Sequence, residues 1–108
     1  MIQAMIKVEF SPDRVDDALR ILGSLLERIR AEAGCISCSV YHDMEKEQGI
    51  VFTEEWRSEE DLQRHLRSDQ YQEILLVMEM AVARPDIRFN TITSSNGVEI
   101  IEKARTGK

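Results

Sequence analysis

Glu54 and His65 are the residues of this chain best suited to move a proton. Imidazole titrates near neutrality and carboxylate a few units lower, so the two together can take up and return a proton at physiological pH. Glu54 lies in the run Ile50–Arg57, where Ile50, Phe52, Glu54 and Trp56 fall on one side of an alternating pattern. A carboxylate on such an apolar face is costly unless it is paired or protonated. His65 falls on the apolar face of the segment that follows and is the natural partner. The same two side chains would equally serve to tie a strand to a helix by a hydrogen bond. Trp56 suits stacking on a planar ligand, and suits an ordinary core equally well.

Cys35-Ile-Ser-Cys38 has the spacing of a thiol–disulfide site or half a zinc site. On a strand, however, residues three apart lie about 10 Å apart and face opposite ways. A disulfide needs Cα atoms within roughly 7 Å. No second cysteine pair exists to complete a zinc site. The expectation is two free thiols and no metal, with Cys38 under the helices between Ile36 and Val40 as core or pocket wall. Cys35 is expected on the opposite face, and His42 beside a loop. Nucleotide-binding glycine motifs, H-E-x-x-H and G-x-S-x-G are absent from the sequence.

The elements that must position these residues follow from periodicity. Residues 2–10 alternate as a half-buried strand. Ser11-Pro12-Asp13 reads as a helix cap, and Val15, Ala18, Leu19, Leu22, Leu25, Leu26 and Ile29 recur at helical spacing up to Gly34. Strands at 35–42 and 50–57 flank a short polar loop and predict a hairpin. Ser58 and Asp61 form a capping box for a short helix bearing Leu62, His65 and Leu66. A second helix is predicted over 70–83, and a fourth strand after Pro85 with Ile87 and Phe89 on its inner side. The order β-α-β-β-α-β predicts an α+β, ferredoxin-like sandwich, a four-stranded antiparallel sheet with its helices on one face. Ile6, Val8, Ile36, Val40, Phe52, Trp56, Ile87 and Phe89 should lie beneath those helices. The opposite face mixes Met5, Tyr41, Val51, Thr53 and Ile92 with charges, and a second copy packed sheet against sheet is the simplest cover.

Composition excludes several classes. The chain has 108 residues, enough for one domain, and 43% of them are hydrophobic. A formal charge of −6 with scattered Lys and Arg argues against nucleic acid and acidic membranes. No apolar run is long enough to cross a bilayer, and the amino terminus lacks the pattern of a signal peptide, so a cytoplasmic location is expected.

"GCISCSVYHD", "IVFTEEWRSEEDLQRHLRS", "YQEILLVM" and "PDIRFNTI" resemble an antibiotic biosynthesis monooxygenase (ABM) domain over residues 1–93, with Glu54-x-Trp56 and the following His65 as the most specific part. The resemblance implies a dimeric α/β barrel of two such sandwiches, each subunit holding a cleft between its sheet and its own helices. It implies a cofactor-independent monooxygenase acting on a quinol-like or phenolic substrate. Glu54 and His65 would transfer protons, and Phe52, Trp56, Cys38 and His42 would contact the small aromatic ligand. The alternative is a non-catalytic module of the same fold that binds a hydrophobic ligand or serves as a dimeric accessory. Phe52 and Leu62 stand where the aromatic-polyketide oxygenases place asparagine and tyrosine. His65 stands where the heme degraders place tryptophan, which argues against heme degradation. Residues 94–108 form a tail in which Val98, Ile101 and Ala104 have the spacing of a short amphipathic helix, suited to contact a partner subunit.

Overall fold

The computed structural model describes residues 1–107. Its elements are β1 (Ile2–Glu9), α1 (Val15–Arg30), β2 (Cys35–His42), β3 (Gly49–Trp56), α2 (Glu59–Leu66), α3 (Asp69–Met78), β4 (Asp86–Thr91) and α4 (Glu99–Arg105). The strands form one antiparallel sheet in the order β2-β3-β1-β4. This is the expected α+β ferredoxin-like arrangement, with the second helical region divided into α2 and α3.

Alternation in β1 and β3 decides which face is inside. Ile2, Ala4, Ile6 and Val8 are buried opposite Trp56, Glu54, Phe52 and Ile50. Against them α1 lays a stripe of Ala18, Leu22, Leu25 and Ile29, all buried at helical spacing. Each large aliphatic side chain in that stripe contributes about 1.5–3 kcal/mol of burial energy. Ser58 caps α2 by accepting from the Asp61 N–H at 3.2 Å, and Ser68 caps α3 by accepting from the Tyr71 N–H at 3.2 Å. Caps only one turn into each helix fix where the buried His65 and Tyr71 begin their turns.

Four local expectations are corrected. α1 starts at Val15 without a side-chain cap, because the Ser11 carbonyl already accepts from the N–H groups of Arg14 and Val15 at 3.0 and 3.1 Å. α3 ends at Met78, since the chain turns so that the Val82 N–H can donate to the Glu9 carbonyl at 3.0 Å; Val82 is exposed. A bulge between Cys35 and Ser37 turns Ile36 outward, where it is 50% exposed. Ile87 and Phe89 pair with Ile6 and Ala4 on the inner face, yet are 41% and 46% exposed because, among the described residues, no helix covers β4.

The bulge also changes the cysteine geometry. Cys35 lies opposite Trp56 and Cys38 opposite Glu54, so the two cysteines share the helix-covered face instead of dividing between faces. Both are free, Cys38 buried and Cys35 partly so. Within the tail Glu99–Arg105 form α4, and none of its residues is buried. Among the described residues no helix is long and apolar enough to cross a membrane.

Candidate functional site

β3 presents Glu54 to the helices between two small neighbours, Ala4 on β1 and Cys38 on β2. Their small side chains leave room above the sheet for the carboxylate and for an imidazole coming down from α2. On α2, Leu62 and His65 are the buried pair one turn apart. His65 Nε2 lies 2.6 Å from Glu54 Oε2, and the residues are 0% and 2% exposed at the side chain. The two atoms meet off the line of a well-directed hydrogen bond, and neither has another partner among the described residues. The structure therefore brings the expected pair together and encloses it.

Aromatic rings close the site. The Trp56 ring stacks on the His65 imidazole with centroids 4.4 Å apart and 27° between planes. Tyr71, from the first turn of α3, meets the imidazole edge-on at 5.2 Å and 83°. Trp56 Nε1–H donates to Glu54 Oε1 at 3.4 Å, a long bond that still aims the carboxylate.

Sequence reasoning missed the third polar member of the cluster. Glu32, in the turn after α1, holds His65 Nδ1 with both carboxylate oxygens, at 3.0 and 3.1 Å. One imidazole thus sits between two carboxylates, Glu54 inside and Glu32 toward the surface. No periodicity marks Glu32, which falls in the irregular segment before Gly34. Tyr71 is buried in the core, and its contact with His65 is purely tertiary.

Burial is the largest single influence on His65 and favours its neutral form. The close contact and charge of Glu54, and then the hydrogen bond and charge of Glu32, together outweigh it, so the His65 pKa lies above the ordinary value. Burial likewise raises the Cys35 thiol to about 11, helped by the charges of Glu54 and Glu32. The same causes, burial first and then Glu54, raise Cys38. Both cysteines are therefore protonated thiols near neutrality, poor nucleophiles and poor metal ligands. Among the described residues no cluster of His, Cys, Asp or Glu is arranged to hold a metal.

The remaining sequence candidates separate. Cys38 is buried directly across from Glu54. Phe52 faces an apolar crevice of about 10 Å³ between sheet and helices, shared with Ile6, Leu22, Ile74 and Val77. Ile74 follows Tyr71 by one turn of α3, so the crevice adjoins the His65 cluster. His42 stands apart: it is exposed at the hairpin, donating Nε2–H to the Glu47 carbonyl at 2.7 Å. It pairs with Ile50, four residues and about 13 Å along β3 from Glu54. A wider hollow of about 350 Å³ lies at that end, among Lys7, Glu9, Asp43, Lys46, Arg84 and Asp86. None of those charged side chains is buried, and with Glu45 four acidic groups stand against three basic ones.

The comparisons with known proteins agree with the fold. The family model described as antibiotic biosynthesis monooxygenase matches residues 1–75, from β1 into α3. An uncharacterized protein of Synechocystis sp. is 27% identical over 78 residues, which are 72% of this chain and 53% of that protein. The chain thus spans about half the length of the curated relative it matches. The crystal structure of a conserved protein from Methanosarcina mazei Go1 is 31% identical with a TM-score of 0.77, over 82% of this chain and 89% of that one. A crystal structure of an antibiotic biosynthesis monooxygenase superposes with a TM-score of 0.78 at 19% identity, over 87% of this chain and 100% of that one, a likeness of fold.

Proposed function

Because the chain belongs to the antibiotic biosynthesis monooxygenase family, we propose that it is a cofactor-independent monooxygenase of a quinol-like or phenolic substrate, with His65 and Glu54 as its proton-transfer pair. One observation carries this reading. A fully buried imidazole and carboxylate meet at 2.6 Å, and among the described residues those two atoms have no other partner. A purely structural tie would be expected to satisfy them with well-directed bonds.

In the reaction, neutral His65 accepts a phenolic proton at Nε2 and becomes imidazolium between Glu54 and Glu32. The electron-rich phenolate then reduces O2. Where an activated CH2 is oxidised to C=O, one oxygen atom enters the product. The other takes the two hydrogens as water, which balances atoms and electrons. Trp56, Phe52 and Cys38 form the pocket walls, and the crevice beside Phe52 is where the ring would enter once α1 and α3 part from the sheet. A second copy is expected to cover the outer sheet face, where Tyr41 is 56% exposed and Met5 and Val51 are half-buried.

A second reading has its own support. The pair is enclosed, and the adjoining crevice holds about 10 Å³, close to one water. A non-catalytic module of the same fold, binding a hydrophobic ligand or serving as a dimeric accessory, has no need of an open path for O2.

Oxygen uptake with a menadiol-like quinol separates the two readings. The enzyme reading expects uptake above autoxidation that His65→Ala abolishes while the protein stays folded. No uptake across a panel of quinols, with quenching of Trp56 fluorescence by a quinone analogue, would establish the binding reading instead. Trp56 is the chain's single tryptophan, so that signal has one source.

A further inference from the structure

We propose that Glu32 is a positioning residue for the His65–Glu54 pair, its carboxylate fixing the imidazole as the Nδ1–H tautomer so that Nε2 alone carries the transferred proton. This rests on the proton-transfer reading of that pair.

Three observations support it. Both Glu32 oxygens lie within hydrogen-bond distance of Nδ1, at 3.0 and 3.1 Å, while Nε2 faces only Glu54. An ionised carboxylate only accepts; the Glu32 oxygens meet Nδ1 in hydrogen-bond geometry whereas Glu54 Oε2 meets Nε2 off that line, so Nδ1 is the nitrogen placed to hold the hydrogen of the neutral ring. Glu32 is itself held in place: its N–H donates to the Ile29 carbonyl at 3.0 Å, and its carbonyl accepts from the Cys35 N–H at 3.2 Å. Among the described residues no Lys or Arg pairs with Glu32. The nearby Arg30 guanidinium is directed to the Cys38 carbonyl and to Glu27. Its charge is therefore available to the imidazole. The Glu32 side chain is 18% exposed, so it retains some water as it holds the ring.

The chemistry is the division of labour found wherever a carboxylate orients a catalytic imidazole. Nε2 takes the substrate proton and returns it, Nδ1–H stays in place, and Glu32 keeps its charge while stabilising the transient imidazolium. The other titratable groups around the ring are Glu54 on β3, the Tyr71 phenol on α3, and the Cys35 and Cys38 thiols on β2. Burial holds the phenol and both thiols toward their neutral forms. Glu32 and Glu54 are thus the two groups whose charge acts on His65.

The ring-nitrogen NMR signals of His65 test this in the full chain, with or without turnover. At high pH the wild type should show the Nδ1–H tautomer. Glu32→Ala should shift it toward Nε2–H and lower the His65 pKa by roughly one unit or more. Glu32→Gln, which keeps an acceptor oxygen without the charge and disturbs packing least, should retain the tautomer and still lower the pKa. Under turnover, Glu32→Ala should lower kcat about 10- to 100-fold with little change in KM. An Nε2–H tautomer in the wild type overturns the proposal, and so does a His65 pKa unmoved in both variants. If wild type consumes no oxygen while tautomer and pKa respond as expected, the enzyme reading falls and the role of Glu32 in holding the ring stands.

Discussion

The indole of Trp56 lies on the His65 imidazole at 4.4 Å between centroids, while its Nε1–H reaches Glu54 at 3.4 Å. A single side chain thus touches both members of the buried pair. It also fills the end of the inner face opposite Ile2 and Cys35. Trp56→Ala should cost about 3–5 kcal/mol in urea unfolding. Trp56→Phe keeps an aromatic face on the imidazole and loses only the long bond and part of the volume, so its cost should be clearly smaller. Equal losses in the two variants would mean that the stacking contributes nothing beyond bulk.

Stability should depend on pH through His65 with a definite sign. Its folded-state pKa lies above the unfolded value near 6.5, raised by Glu54 and Glu32 against the opposing effect of burial. Between those two values the native state binds more protons than the unfolded one. The contribution is therefore complete below about pH 6.5 and is lost as pH rises through the folded-state pKa. Urea midpoints measured from pH 6 to 9 should fall across that window, and the fall should flatten in Glu54→Gln. Activity that needs neutral His65 should rise over the same window, so stability and turnover would move in opposite directions. Midpoints that climb with pH would contradict the ion-pair geometry.

Strong alternation was legible because one face was buried throughout. Ile2, Ala4, Ile6 and Val8, and Ile50, Phe52, Glu54 and Trp56, all fall inside as their parity indicates. The encounter of Glu54 with His65 followed from the same reasoning, since a buried carboxylate demands a partner. Parity failed where its premises failed. One extra residue at the β2 bulge moved Ile36 outward and brought Cys35 to the inner face. On β4 the register placed Ile87 and Phe89 correctly, but a register does not reveal whether a helix lies above it. Glu32 was invisible because a turn has no period, and its role comes only from the approach of a helix 33 residues away in sequence.

The turn that carries Glu32 ends at Gly34, whose φ of +82° lies in the left-handed region. A Cβ at Gly34 would also collide with the Asp61 side chain, which accepts from the hydroxyl of the capping Ser58. Gly34→Ala should destabilise by about 1–3 kcal/mol from the backbone alone, with more from the collision. Gly23, in the middle of α1, offers the control, since nothing lies within 4 Å of its added Cβ. Gly23→Ala should stabilise by about 0.5–1 kcal/mol. Thermal melts of both variants would check the pair, and a neutral Gly34→Ala would show that the α1–β2 turn is not held as described.

Thiol chemistry gives the sharpest check on the corrected β2 register. Burial and the neighbouring charges of Glu54 and Glu32 raise Cys35 to about 11, and Cys38 is buried across from Glu54. At pH 8 a thiol with that pKa is roughly one part in a thousand thiolate, against about a quarter for an unperturbed cysteine. The higher nucleophilicity of a more basic thiolate recovers part of the difference. Alkylation of Cys35 by iodoacetamide should therefore run roughly 10- to 30-fold slower than that of a free cysteine, and Cys38 should react only as the protein unfolds. Mass spectrometry of a time course at pH 8 distinguishes the two sites. Labelling of Cys38 ahead of Cys35 in folded protein would mean that the bulge does not turn both cysteines toward the helices.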